Sequence, residues 1–104
     1  YAYLGTMKRN IFNAYVTEVC ARFAVSEEML FTKTKKRDIV DARQLLYYLC
    51  SLRPMSITYI QKYMGDRGYV INHSSIIHGI RIVKEKMVND KDYIEAVGEI
   101  LNEE

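Results

Sequence analysis

Four uncharged polar residues in a row, Asn72, His73, Ser74 and Ser75, stand directly ahead of a strongly apolar helical stripe. The first turn of a helix presents free backbone amides and positive dipole, which suits phosphate. Polar side chains there can also reach base edges, with Asn pairing to adenine and Ser donating or accepting at several bases. A second candidate is the run Lys33-Thr34-Lys35-Lys36-Arg37, four cations in five residues. Spacing alone leaves both open: Asn72 can be a plain N-cap followed by solvated serines, and the basic run can be a solvated charged turn.

Both candidates need helices to hold them. Ile11, Phe12, Tyr15, Val16, Val19, Cys20 and Phe23 recur at three- and four-residue steps and predict a first helix from Lys8 to Phe23. Ser26 caps a short helix through Leu30 and Phe31, with Glu27 and Glu28 in its positive first turn. After the basic loop a third helix runs from about Ile39 to Leu52. Leu45, Leu46, Leu49 and Leu52, with Tyr48 and Cys50, cover so much of its circumference that it reads as the central helix, and Pro54 stops it.

Ser56 caps a fourth helix from Ile57 to Met64, with Ile57, Ile60 and Met64 inward, and Gly65 is expected to supply the turn through positive φ. The loop from Gly65 to Ile71 leads to Asn72 or His73 as cap of a long fifth helix reaching about Met87. Its expected buried stripe is Ile76, Ile77, Ile80, Val83 and Met87, with Ser74, Ser75, His78, Arg81 and Glu85 opposite. Asn89-Asp90 breaks the chain, and Tyr93, Ile94, Val97, Ile100 and Leu101 make a last amphipathic helix. No segment alternates with period two, so the fold class is all-α: a single compact domain over residues 1–104, of five to six helices with a helix-turn-helix and a basic loop.

Composition limits the function classes. Hydrophobic residues make up 49% and charged residues 27%, the balance of a globular chain rather than a disordered tail. A net charge of +2 argues little for nucleic acid by itself, but the middle of the chain is more basic than that average because acids gather from Asp90 to Glu104. Cys20 and Cys50 lie within apolar helical patterns and read as buried thiols. No apolar run reaches a membrane span and no secretory signal is visible, so the expectation is a cytoplasmic protein without a membrane partner. His73 and His78 do not share a helix face and no acid or thiol completes a set, so no metal site is expected. Nucleophile-base pairs and phosphate-cradling glycine loops are also missing; no enzyme, cofactor or small-molecule substrate is expected.

Ile39-Val-Asp-Ala-Arg43-Gln44-Leu-Leu, Ser56-Ile-Thr-Tyr-Ile60, Gly65 and His73-Ser-Ser-Ile-Ile-His78-Gly-Ile-Arg81 together resemble the C-terminal DNA-binding domain (domain IV) of the bacterial replication initiator DnaA, a Trp-repressor-like helix-turn-helix. The resemblance extends from about Ile11 to Val97. It implies sequence-specific binding of double-stranded DNA, with the helix-turn-helix in the major groove and the basic loop at the minor groove and phosphates. His73 and Ser74 match base-reading positions, and Ser75 a neighbouring groove or phosphate contact. Lys35 matches a minor-groove arginine, with Lys36 and Arg37 beside it. Arg43 and Gln44 match phosphate-binding positions, and Ile57 and Thr58 match a helix start whose amides meet a phosphate.

The chain departs from that family at four places. Asn72 replaces the usual acid, which changes the expected base preference from cytosine toward adenine. The Gly65–Ile71 loop is longer than the family's Gly-Gly-Arg turn. Lys35 replaces an arginine and lacks its fork. Asp41 replaces a common cation and is expected to cost affinity near the phosphates. No ATPase module accompanies the domain, so the implied role is that of a replication accessory or regulator, with other replication proteins as further partners, or of a fragment of a longer chain, as a start at Tyr1 without methionine also allows. The alternative is a protein-protein interaction module that keeps the fold without DNA binding. Tyr69, just ahead of the reading helix, is singled out for stacking or backbone contact.

Overall fold

The structure, a computed structural model, describes residues 2–53 and 55–102, with side chains from Met7 onward. The stop expected at Pro54 therefore lies outside the described residues. Six helices occur among them: α1 (Ala2–Phe23), α2 (Glu27–Leu30), α3 (Arg37–Leu52), α4 (Ile57–Asp66), α5 (His73–Asn89) and α6 (Lys91–Asn102). The described chain contains no strand.

Short polar side chains start the helices where the sequence places them. Ser26 Oγ accepts from Met29 N at 3.1 Å and Ser56 Oγ accepts from Tyr59 N at 3.4 Å. Asn72 Oδ1 accepts from Ser75 N at 2.9 Å, which fixes the start of α5. Each bond satisfies an amide that the helix itself leaves without a partner. At the α5–α6 junction Asp90 Oδ1 does the same for Asp92 N and Tyr93 N, so α6 follows after one residue.

Helix ends hold two departures. The glycine that turns the chain after α4 is Gly68, at φ +90, not Gly65, which remains inside the helix. Gly68 N donates to Gly65 O at 3.0 Å and Tyr69 N to Met64 O at 2.9 Å, the paired bonds of a Schellman ending. α1 ends the same way, through Ala24 N to Ala21 O and Val25 N to Cys20 O, but with an alanine at φ 53 where glycine fits without steric cost. The other departure is at the start of α1, which begins six residues before the expected Lys8, because backbone hydrogen bonding does not require an apolar stripe to continue it.

α3 is the central helix, as its leucines predict. Leu45, Leu46 and Leu49 are buried against Phe12, Val16 and Val19 of α1, Ile60 and Met64 of α4, and Ile76 and Val83 of α5. Each large side chain fully removed from water contributes about 1.5–3 kcal/mol. Leu52 is an exception at 45% exposed, since it lies in the last turn of α3, beyond the cover of its neighbours. Ile77 is also outside the core, at 51% exposed. The inward positions of α5 are Ile76, Gly79, Ile80 and Val83, a face centred away from Ile77. Gly79 is there because α5 crosses α3 closely: a Cβ would stand 2.9 Å from Tyr47 Cδ2 and 3.2 Å from Gln44 Cγ. That crossing sets the angle at which the start of α5 leaves the domain.

Candidate nucleic-acid interface

At the start of α5, Asn72, His73, Ser74 and Ser75 are all exposed, while Ile76 immediately behind them is fully buried. The core thus anchors α5 from Ile76 onward and leaves its first turn projecting. Capping constrains Asn72. Its Oδ1 is committed to Ser75 N, so the outward-facing hydrogen-bonding group it retains is chiefly its amide NH₂.

The turn ahead of α5 is braced from several sides. Gln61 Nε2 donates to Ile71 O at 2.8 Å, tying the turn to α4. Arg67 Nη2 donates to Glu27 Oε1 at 2.8 Å and Nη1 to Asn13 Oδ1 at 3.3 Å, and its guanidinium lies 4.5 Å from the Phe31 ring centroid. The longer turn is therefore fastened to α1 and α2. Arg67 had no role in the sequence reading; a cation inside a seven-residue turn, with an acid in an earlier helix cap, was the available signal.

Arg43, expected at a phosphate, points into the domain. It is 5% exposed, and its guanidinium is directed at the basic loop. Nε donates to Leu30 O at 2.7 Å, Nη1 to Thr34 O at 3.2 Å, and Nη2 to Thr32 O. Its face lies 4.4 Å from the Tyr69 ring centroid, so Tyr69 stacks on Arg43. The planar fork suits this task, since three carbonyls arrive from different directions. Arg43 joins the loop before α3 to the turn before α5, and so positions the two candidate surfaces relative to each other.

On the outer side of that joint Lys35 and Lys36 are exposed, with Lys36 N donating to Thr34 Oγ1 at 3.3 Å. Arg37 is exposed too, but it belongs to the first turn of α3 rather than to the loop. A groove of about 260 Å³ runs between the loop and α5, bordered by Lys35, Gln44, Tyr69, Ser75 and His78. Gln44 is half-buried on its wall. Burial pushes the Tyr47 hydroxyl well above its ordinary pKa, with Tyr69 adding to the rise and Arg43 opposing it.

A second groove, of about 450 Å³, lies on the opposite side of α5, toward the start of α4. Ile57 is half-buried there and Thr58 is exposed, with Ser56 as cap. Arg81 and Lys84 of α5 border the same groove, which brings two further cations to the amide-bearing end of α4. Arg81 also donates to His78 Nδ1 at 2.9 Å, holding that ring on the outer face of the helix. Neither cation was among the sequence candidates; their three- and six-residue spacing from His78 along one side of α5 was the readable signal.

Asp41 is directed toward the far end of α5. It faces Lys86 Nζ at 3.7 Å, and Lys86 in turn donates to Tyr93 Oη at 3.2 Å, near the end of α5. That is about 20 Å along the helix axis from His73. The acid thus binds the α5–α6 corner to α3. Among the described residues no helix is long and apolar enough to cross a membrane.

Residues 14–83 match the family described as the bacterial dnaA protein helix-turn-helix. Among similar proteins, a chromosomal replication initiator protein DnaA from Bacteroides thetaiotaomicron is 31% identical over 83 residues, covering 79% of this chain and 17% of the relative. The protein of the same name from Porphyromonas gingivalis is 33% identical over 76 residues, 72% of this chain and 15% of the relative. That from Flavobacterium psychrophilum is 28% identical over 100 residues, 94% of this chain and 20% of the relative. The chain therefore spans a fifth or less of the curated relatives it matches. No solved structure matches it.

Proposed function

Because this chain belongs to the bacterial DnaA helix-turn-helix family, we propose that it binds double-stranded DNA sequence-specifically, with the start of α5 in the major groove. His73 and Ser74 read base edges, Asn72 offers its amide donor beside them, and Ser75 contacts the groove wall or a phosphate. Lys35, with Lys36 and Arg37 next to it, follows the phosphates into the adjacent minor groove. Gln44 and the capped start of α4, at Ile57 and Thr58, meet backbone phosphates, and Arg81 and Lys84 add charge there. These phosphate contacts set register without reading sequence. Arg43 acts through the loop it holds.

The observation that carries this reading is the exposed first turn of α5, rigidly capped and anchored at Ile76, set beside a cationic loop that Arg43 fastens to the same turn. One small domain can then grip two grooves at once. The context is replication initiation, as the relatives' names indicate for them, and for this chain the proposed part in it is DNA recognition rather than catalysis. Other replication proteins are its further partners, and it works in the cytoplasm at the chromosome.

Salt titration tests the reading. About four phosphate contacts give a slope near −3.6 in log affinity against log salt, so binding to random duplex falls about a hundredfold from about 50 to 200 mM. His73→Ala then relaxes sequence preference, whereas Lys35→Ala weakens all sequences alike. No measurable duplex binding at low salt would refute the proposal and leave a protein-interaction role in its place.

A further inference from the structure

Immediately ahead of the reading helix one large apolar side chain is turned outward. Val70 is 73% exposed, although both neighbours are half-buried and border the groove beneath. The segment from Tyr69 to Asn72 lies outside both helices, and Val70 is the exposed side chain between two half-buried ones. Tyr69 and Ile71 turn inward, so Val70 turns away from the domain.

This placement is held firmly. On one side Tyr69 N donates to Met64 O and the Tyr69 ring stacks on Arg43. On the other, Ile71 O accepts from Gln61 and Asn72 caps α5. A loose loop would let a valine fold back against apolar surface; this one cannot. One residue, Ile71, separates Val70 from Asn72, a span of about 7 Å, within reach of the edge of any groove that the start of α5 enters.

We propose that Val70 is a specificity contact, packing its methyl groups against the 5-methyl of a thymine at the margin of the site read by His73 and Ser74. This rests on the DNA-binding reading above. The chemistry is that of apolar side chains against thymine, whose methyl is the one apolar group displayed in the major groove. Valine is well suited, since its branched side chain has a single rotatable bond and loses little freedom on contact.

The test uses the whole chain and a duplex chosen by selection from random sequence. Each thymine in that duplex is replaced in turn by deoxyuridine, which removes only the methyl group. For the wild-type chain one substitution, adjacent to the positions whose preference relaxes in His73→Ala, weakens binding about fourfold, the equivalent of one buried methyl. In Val70→Ala that substitution has no effect, while the other positions behave as in wild type. Because Val70 is exposed, Val70→Ala retains the fold and its melting temperature. An identical uridine profile for wild type and Val70→Ala overturns the proposal, as does uniform weakening of all sequences by that variant. If the wild-type chain selects no duplex at all, the DNA-binding reading fails first and this contact with it.

Discussion

Replacing Gly79 by alanine adds one methyl group where α5 crosses α3 closely. The new Cβ would stand 2.9 Å from Tyr47 Cδ2, 3.2 Å from Gln44 Cγ and 3.5 Å from Gln44 Cα. Comfortable carbon contacts lie at about 3.5–4.0 Å, so the shortfall at the tyrosine ring is about 0.6 Å or more. Gln44 is half-buried and its side chain can swing aside. Tyr47 is 4% exposed and its ring has nowhere to go, so α5 must lift from α3 or the ring must leave its rotamer. Overpacking of this kind costs about 1–3 kcal/mol, and alanine returns about 0.8–1 kcal/mol of helix propensity. The net expectation is a loss of about 1 kcal/mol, or a melting temperature lower by about 4–8 °C for a domain of this size. Gly98 in α6 provides the matched control, because nothing lies within 4 Å of an added Cβ. Gly98→Ala keeps the propensity gain without the clash and raises the melting temperature. Thermal unfolding by circular dichroism of the two variants beside wild type makes the measurement. If Gly79→Ala stabilises as much as Gly98→Ala, the close α3–α5 crossing is not what requires glycine there, and the account of how α5 is aimed fails.

Ala24→Gly relieves the left-handed backbone at the end of α1, and the variant gains about 0.5–1 kcal/mol in urea unfolding; a loss would show that Ala24 does not hold that conformation. Arg43→Ala leaves the carbonyls of Leu30, Thr32 and Thr34 without their donor and costs about 2–4 kcal/mol, and Arg43→Lys restores little of it. An Arg43→Ala chain with unchanged melting but weaker DNA binding would return Arg43 to the role of a phosphate contact. Asn72→Asp keeps the cap, since a carboxylate oxygen also accepts from Ser75 N, but it exchanges the amide donor for an acceptor. Stability stays within about 0.5 kcal/mol while base preference in a selection shifts toward cytosine, and an unaltered selected site would remove Asn72 from the reading surface.

Much of the fold is legible in local pattern. Ser26, Ser56 and Asn72 cap the helices that their types predict, because a cap depends only on a short polar side chain within three residues of the amide it satisfies. The burial of α3 follows from leucines on most of its circumference. Misreadings arise where an answer depends on a partner far along the chain. Ile77, expected in the core, is exposed while Gly79 is buried, because Tyr47 and Gln44, thirty or more residues earlier, let α5 approach closely at the glycine. Leu52 is apolar yet exposed because it borders the open groove beside Ile57 and Ile77 instead of lying under another helix. Gly65 and Gly68 are equally able to take positive φ, and only the bonds from Gly68 N and Tyr69 N back into α4 choose between them.

The candidate site divides along the same line. Asn72-His73-Ser74-Ser75 and the cationic run near it can be recognised in the sequence, since helix starts and charge clusters are contiguous. Whether they share one surface cannot, for the residues that join them are scattered. Arg43 reaches carbonyls of Leu30, Thr32 and Thr34 and the ring of Tyr69, and Arg67 reaches Asn13, Glu27 and Phe31. A cation's charge and length are visible in one dimension, but its partner is not. An arginine offers the same fork to a phosphate as to a set of carbonyls, and only the folded chain, by burying Arg43 beside the carbonyls of Leu30, Thr32 and Thr34, directs that fork inward.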